Sequence, residues 1–130
     1  MKLKTILASS LIFFSAYSYA EWVLVTSSAD NSNKYYIESN SVKKVGGTFR
    51  AWGLVDYSAR NNFGNLSHKA YFEIDCIESR IRNLSYTFYK GSMGMGEASS
   101  FTPEKIDWSY ASPESINEYI VKYVCMPRWN

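Results

Sequence analysis

Between Lys69 and Lys90 the sequence KAYFEIDCIESRIRNLSYTFYK alternates apolar and polar residues through two successive arms, and few arrangements of a chain can satisfy both. In the first arm Ala70, Phe72, Ile74 and Cys76 share one parity, while Tyr71, Glu73 and Asp75 share the other. This is the period of a strand with one face buried. Leu84, Tyr86 and Phe88 alternate in the same way with Asn83, Ser85 and Thr87, and the polar link Glu78-Ser79 lies between the arms. The pattern predicts an antiparallel hairpin whose aliphatic and aromatic parity faces a core.

One residue of that hairpin, Cys76, has a single counterpart in the chain, Cys125. Whether the two are joined depends on compartment. The chain opens MKLKTILASSLIFFSAYSYA, with two lysines, an apolar run from Ile6 to Phe14 and the small-x-small ending Ser18-Tyr19-Ala20. That is the pattern of a secretory signal peptide, and the run is shorter than the roughly 20 apolar residues that span a bilayer. Residues 1–20 are therefore expected to be removed, leaving one domain over 21–130 with no membrane insertion. Exported proteins meet oxidising conditions, so Cys76 and Cys125 are expected to form a disulfide. No cysteine follows the apolar run closely, so no lipid-anchor cysteine is expected.

Loss of Lys2 and Lys4 leaves twelve basic residues against twelve acidic ones. A neutral mature chain lacks the basic excess typical of nucleic-acid binding, and no nucleic-acid partner is expected. Eighteen of the twenty-two aromatic residues survive cleavage, a rich supply for a core or a recognition surface.

The remaining elements follow from local pattern. Glu21 to Thr26 and Lys34 to Glu38 read as strands, joined by the turn-forming SSADNSN. Ser39 to Lys44 reads as a single helical turn, and Gly46-Gly47 breaks the chain before a long strand from Thr48 to Tyr57. That strand is apolar on both parities, as a central strand covered on both faces would be. Residues 58–67 and the glycine-rich GSMGMG of 91–96 read as loops, with a short edge strand at Glu97 to Phe101. Ser112, Pro113 and Glu114 suit the N-cap, first position and first turn of a terminal helix with the stripe Ile116, Ile120, Val121 and Val124. Cys125 falls on the shoulder of that stripe, so the helix is expected to end near Val124 to let the sulfur turn towards Cys76. Strands followed by one helix predict an α+β domain: an antiparallel sheet of about six strands with the C-terminal α-helix packed on one face and tied to it by the disulfide.

Catalytic chemistry finds little support. His68 is the sole histidine, and adjacent Ser67 would point to the opposite face of a strand, so neither a nucleophile-base pair nor a histidine-based zinc site can be assembled. Glu73 and Asp75 share a parity that reads as a solvated polar face rather than an acid-base pair. Met93 and Met95 offer two thioethers, too few for a copper site, and their glycine-rich setting reads as a turn. The sequons at Asn65 and Asn83 matter only in a host that glycosylates. No catalytic, metal or cofactor residues are assigned.

Tyr35-Tyr36-Ile37 followed by Ser41-Val42, Trp52, Tyr71 leading to Cys76, Tyr89 before Gly91-Ser92-Met93-Gly94-x-Gly96, and Pro113-x-Ser115 leading to Cys125 follow one another along the chain. Taken in this order, the pieces resemble the bacterial surface-adhesin protein E family. The resemblance implies an antiparallel sheet with a disulfide-tied helix and a non-enzymatic role in adhering to host extracellular-matrix or serum proteins. Adhesins of this family look lipid-anchored and carry Lys/Arg-rich segments, whereas here the run from Arg60 to Arg82 mixes both signs of charge. The expected location is exported: periplasmic, secreted or at the cell surface. An alternative role is a periplasmic inhibitor or accessory protein of a cell-envelope enzyme, and a homodimer is compatible with either. The expected partner-binding residues are Tyr71, Glu73 and Tyr89, on the sheet face turned away from the helix, because tyrosine gives large contact area at small entropic cost.

Overall fold

The computed structural model describes residues 8–12 and 20–127. Most of the expected signal peptide, at 1–7 and 13–19, and the last three residues lie outside the described residues. Among the described residues, eight strands and one α-helix follow in order: β1 (Trp22–Ser27), β2 (Asn33–Glu38), β3 (Lys43–Val45), β4 (Thr48–Tyr57), β5 (Ser67–Asp75), β6 (Arg80–Tyr89), β7 (Ala98–Phe101), β8 (Ser109–Tyr110) and α1 (Ile116–Val124). They build one antiparallel sheet of order β1-β2-β4-β5-β6-β7, with β3 added beside β4 and β8 beside β6. The six strands of that path are those expected from the sequence, and the structure supplies their order. The two extra strands, of three and two residues, are too short to carry a period.

Local chemistry fixes each turn. Asp30 Oδ1 accepts from the Ser28 hydroxyl at 2.8 Å and the Ser32 amide at 3.0 Å, closing the β1-β2 link around Asn31, which adopts φ 57°. Between β5 and β6, Asp75 Oδ1 accepts from the amides of Ile77 and Glu78, both at 3.2 Å, and Ser79 takes φ 51°. Residues 39–44 depart from the expected single helical turn. Only Ser39–Ser41 coil, capped by Glu38, and Lys43 to Val45 then pair with Arg50 to Thr48 across the Gly46-Gly47 turn. A complementary strand close in sequence satisfies more backbone groups than a lone helical turn would.

One face of the sheet holds the core. Ile37, Phe49, Ala51, Phe72, Ile74 and Ile81 meet Val121 and Val124 of α1. Ile74 and Val124 are fully enclosed, at 0% exposure. The disulfide joins Cys76, just past β5, to Cys125, the residue that caps the C-terminus of α1, across 49 positions with Cα atoms 5.7 Å apart. The helix thus ends at Val124, as the placement of Cys125 requires.

Its start differs from the expectation. Ser115, rather than Ser112, is the N-cap, its hydroxyl accepting from the Glu118 amide at 3.2 Å. Ser112, Pro113 and Glu114 form a preceding turn, in which the Ser112 carbonyl accepts from Ser115 and Glu114 takes φ 63°, a value no helical residue has. Ser115-Ile116-Asn117-Glu118 has the spacing of a capping box, which competes successfully with the Ser-Pro-Glu signal.

The hairpin carries one irregularity that a count of two misses. Pairing runs Tyr71 to Ser85 and then Phe72 to Asn83, so Leu84 is an extra residue in a β-bulge. Beyond it the parity of β6 is reversed relative to the expectation. Asn83 falls in with Phe72 and Ile81 on the helix side and lines a cleft there beside Ile120.

Candidate binding face

Among the described residues the opposite face carries no α-helix, and its side chains come from the second parity of the strands. Register sets out their rows. Trp22 lies across from Glu38, and Trp52 across from Tyr71 and then Ser85. A second row runs Leu24, Tyr36, Leu54, Lys69, Thr87 and Ser100, and a third runs Lys43, Arg50, Glu73 and Arg82. The Trp52 and Tyr71 rings pack at a 33° tilt with centroids 4.9 Å apart. Lys69 Nζ sits 5.4 Å from the centre of the Trp22 ring and 5.2 Å from that of Tyr89. Arg80 and Arg82 bracket the Trp108 ring, their guanidinium carbons 4.5 and 4.3 Å from its centre. Each of these contacts lies within the roughly 6 Å over which an aromatic face attracts a cation.

Glu73 and Asp75 are not a solvated polar face. Glu73 is 3% exposed, and its carboxylate bridges Arg50 Nε at 2.9 Å and Arg82 Nε at 2.8 Å, with a further contact to Arg82 Nη2. Burial alone would raise its pKa, but the bonds donated by Arg50 and Arg82 outweigh that and hold it below the usual carboxylate range. Asp75 is lowered chiefly by the Glu78 amide and also binds Arg80 Nε at 3.0 Å. Short acidic side chains flanked by long arginines on neighbouring strands are covered by them, so the alternation identified the face but not the burial. The carboxylates fix how three guanidinium groups stand on the sheet.

The GSMGMG loop closes one end of this face. The Met93 amide donates to Asp56 Oδ1 at 2.7 Å and the Gly94 amide to Ser67 Oγ at 2.9 Å, while Ser67 donates to the Gly91 carbonyl at 2.7 Å. Leu54, at 1% exposure, is buried beneath it, which is why β4 needed apolar residues on both parities. A side chain at Gly91 would meet the Met95 carbonyl at 2.7 Å. Met93 and Met95 therefore sit in a turn docked on the sheet. Among the described residues no group of three His, Cys, Asp or Glu side chains could hold a metal ion.

His68 points the other way, to the helix side, where it lines a cleft with Ile116 and Ile120 of α1. Its Nδ1 hydrogen-bonds the Tyr57 hydroxyl, and its ring packs against Tyr86 and Phe88. Burial depresses its pKa to about 4 and pushes Tyr57 up to about 12, so the phenol donates to a neutral imidazole. Ser67 and His68 serve opposite faces, and the pair is not a nucleophile and base. Asn65 is buried and Asn83 faces the helix side, so neither sequon stands open on the surface.

Of the residues expected to contact a partner, Tyr71 and Tyr89 lie half-buried on the open face and Glu73 lies beneath two arginines. Sequence reasoning missed the tryptophans between them. Trp22 and Trp52 share the outward parity of their strands, a signal that was readable, whereas Trp108 arrives from an irregular segment and carried no signal.

A family model described as surface-adhesin protein E matches residues 22–126. The chain belongs to the surface-adhesin protein E family. Solved structures of Haemophilus influenzae protein E share its fold. Crystal form II of that protein is 16% identical, with a TM-score of 0.66 over 80% of this chain and 86% of the other. A second structure, also 16% identical, gives 0.61 over 80% and 83%. Protein E from non-typeable Haemophilus influenzae is 13% identical and gives 0.58 over 80% and 74%. Among curated proteins none matches. The family places this chain with exported, adhesin-like surface proteins, and among the described residues no helix is long and apolar enough to cross a membrane.

Proposed function

We propose that the mature chain, from Glu21 onward, is a non-enzymatic adhesin-like protein that contacts host extracellular-matrix or serum proteins through the sheet face opposite the helix. The observation that carries this reading is the make-up of that face: Trp22, Trp52, Tyr71 and Tyr89 interleaved with Lys69, Arg50 and Arg82 on a rigid sheet. Aromatic residues and arginine are the side chains that dominate protein-recognition surfaces, since they bury much area and lose little freedom. In this reading Tyr71 and Tyr89 touch the partner. Glu73 acts one layer down by aiming Arg50 and Arg82, which belong to a site on a sheet rather than on a loop. Membership of the adhesin family supports the same role.

The test is direct binding of purified mature protein to a panel of extracellular-matrix and serum proteins, with wild type beside a Tyr71→Ala, Tyr89→Ala double variant shown to fold. Saturable binding by wild type that weakens tenfold or more in the variant is expected. Wild-type affinity in the folded variant would move the contact elsewhere. Cell fractionation separates this role from that of a periplasmic accessory protein, because a chain confined to the periplasm cannot reach host matrix.

A further inference from the structure

Within the open face, one cleft of about 330 Å³ is lined by Trp22, Glu38, Asn40, Trp52 and Lys69, with Ala20 at its edge. We infer that this cleft, with its two indole walls and a lysine ammonium that no carboxylate pairs, binds a sugar ring bearing a carboxylate. The inference rests on the reading of this face as the contact surface and names the chemistry that one part of it recognises.

Three features carry it. First, Lys69 Nζ is held between the Trp22 and Tyr89 rings, and among the described residues no carboxylate lies within 4.0 Å of it. An ammonium partly stripped of water by aromatic walls retains unused donors for an incoming anion. Second, the walls are indoles. A pyranose presents a flat patch of C–H bonds on one face, which packs on an aromatic ring, while its hydroxyls stay at the edge. Glu38 and the exposed Asn40 stand at the rim as acceptor and donor for those hydroxyls. An aspartate or glutamate side chain from a protein partner would satisfy Lys69 but has no flat surface to lay against the tryptophans.

The third feature is maturation. Cleavage after Ala20, expected from the signal sequence, removes one wall residue and turns the Glu21 nitrogen into an α-ammonium. That nitrogen already donates to Glu38 Oε1 at 2.9 Å. The new positive charge would neutralise Glu38 and leave Lys69 as the uncompensated charge of the cleft, so the mature protein is the form suited to an acidic sugar.

Two sources supply such a sugar: a uronic acid of a matrix polysaccharide and a terminal sialic acid of a glycoprotein. The experiment titrates mature protein with a hyaluronan hexasaccharide, with sialyllactose and with lactose as the uncharged control, following the tryptophan indole N–H resonances. Saturable shifts at Trp22 and Trp52 with at least one acidic sugar are expected, with Trp108 unmoved and lactose at least tenfold weaker. The stronger of the two acidic probes identifies the source. Lys69→Met should weaken binding about tenfold, and Lys69→Arg should keep it within about threefold. The inference is overturned by indoles that do not respond to either acidic sugar at millimolar concentration, by lactose binding equally well, or by unchanged affinity in Lys69→Met. Because the indole signature is read on wild-type protein, a variant that fails to fold leaves the test intact. Silent indoles alongside retained capture of matrix or serum proteins would remove the sugar site and leave the adhesin reading standing.

Discussion

Acid should loosen this domain well before its carboxylates begin to titrate, and His68 is the reason. The imidazole has an ordinary pKa near 6.5 and is held at about 4 by burial, so the folded protein resists a proton that the unfolded chain accepts. A group depressed in this way favours the native state above its unfolded pKa, and that contribution is lost as pH falls from about 6.5 towards 4. At pH 5 the medium lies about 1.5 units below the unfolded value while the folded ring remains mostly neutral. At about 1.36 kcal/mol per unit, stability should be about 2 kcal/mol lower than at pH 7.5, and nearer 1 if water reaches the half-buried ring. For a domain of this size that is a fall in Tm on the order of 10 °C. Glu73 and Asp75, also depressed, act in a separate window. Their contributions are present above the ordinary values of 4.5 and 3.8 and fade only as pH drops below them. Urea unfolding of the mature protein at pH 7.5, 6.5, 5.5 and 5, compared with His68→Phe, isolates the effect. The wild-type curve should slope and the variant's should be flat. A flat wild-type curve, or an equal slope in the variant, would refute the assignment of this pH dependence to His68.

Three further outcomes follow from the fold. Cys125→Ser should cost about 2 to 5 kcal/mol, because the bridge closes a loop of 49 positions; an unchanged Tm would contradict a helix pinned to the sheet. Ser115→Ala should cost about 1 kcal/mol and Ser112→Ala much less, and denaturant titration giving the reverse order would restore Ser112 as the cap. Glu73→Gln leaves Arg50 and Arg82 without their shared anion, so a loss of about 2 to 3 kcal/mol is expected, below the full figure for a buried pair because both arginines keep about a third of their side-chain surface in water. A neutral result in thermal unfolding would mean that the bridge contributes nothing.

What could be read in the sequence, and what could not, divides along physical lines. Strands with a clear local pattern were legible: the arms around Ile74 and Tyr86 by alternation, β4 by apolar residues on both parities and the first hairpin by its β-formers and turn-forming link, while cysteine counting gave the bridge. Features decided by one residue were not. The bulge at Leu84 reverses the parity of β6, so Asn83 turns to the helix side although its spacing said otherwise. Ser115 displaces Ser112 because two neighbouring cap signals compete and only the three-dimensional path of the chain decides between them. At the face itself, the outward parity identified Tyr71 and Tyr89. The burial of Glu73 depends on how arginines from β4 and β6 fold over it, a cross-strand effect that no single strand announces. The cleft between Trp22 and Trp52 needs β1 and β4 brought together through β2, and Trp108 joins from a segment with no pattern of its own.

The account stands most directly on whether this face makes the contact. Affinity of the mature chain for extracellular-matrix and serum proteins should therefore be measured with Tyr71→Ala, Tyr89→Ala on one face and Tyr119→Ala, on the exposed outer side of the helix, as the matched control. Loss of tenfold or more in the tyrosine pair, with the helix variant unchanged, is the predicted result. Binding that survives the pair and falls with Tyr119→Ala would contradict it.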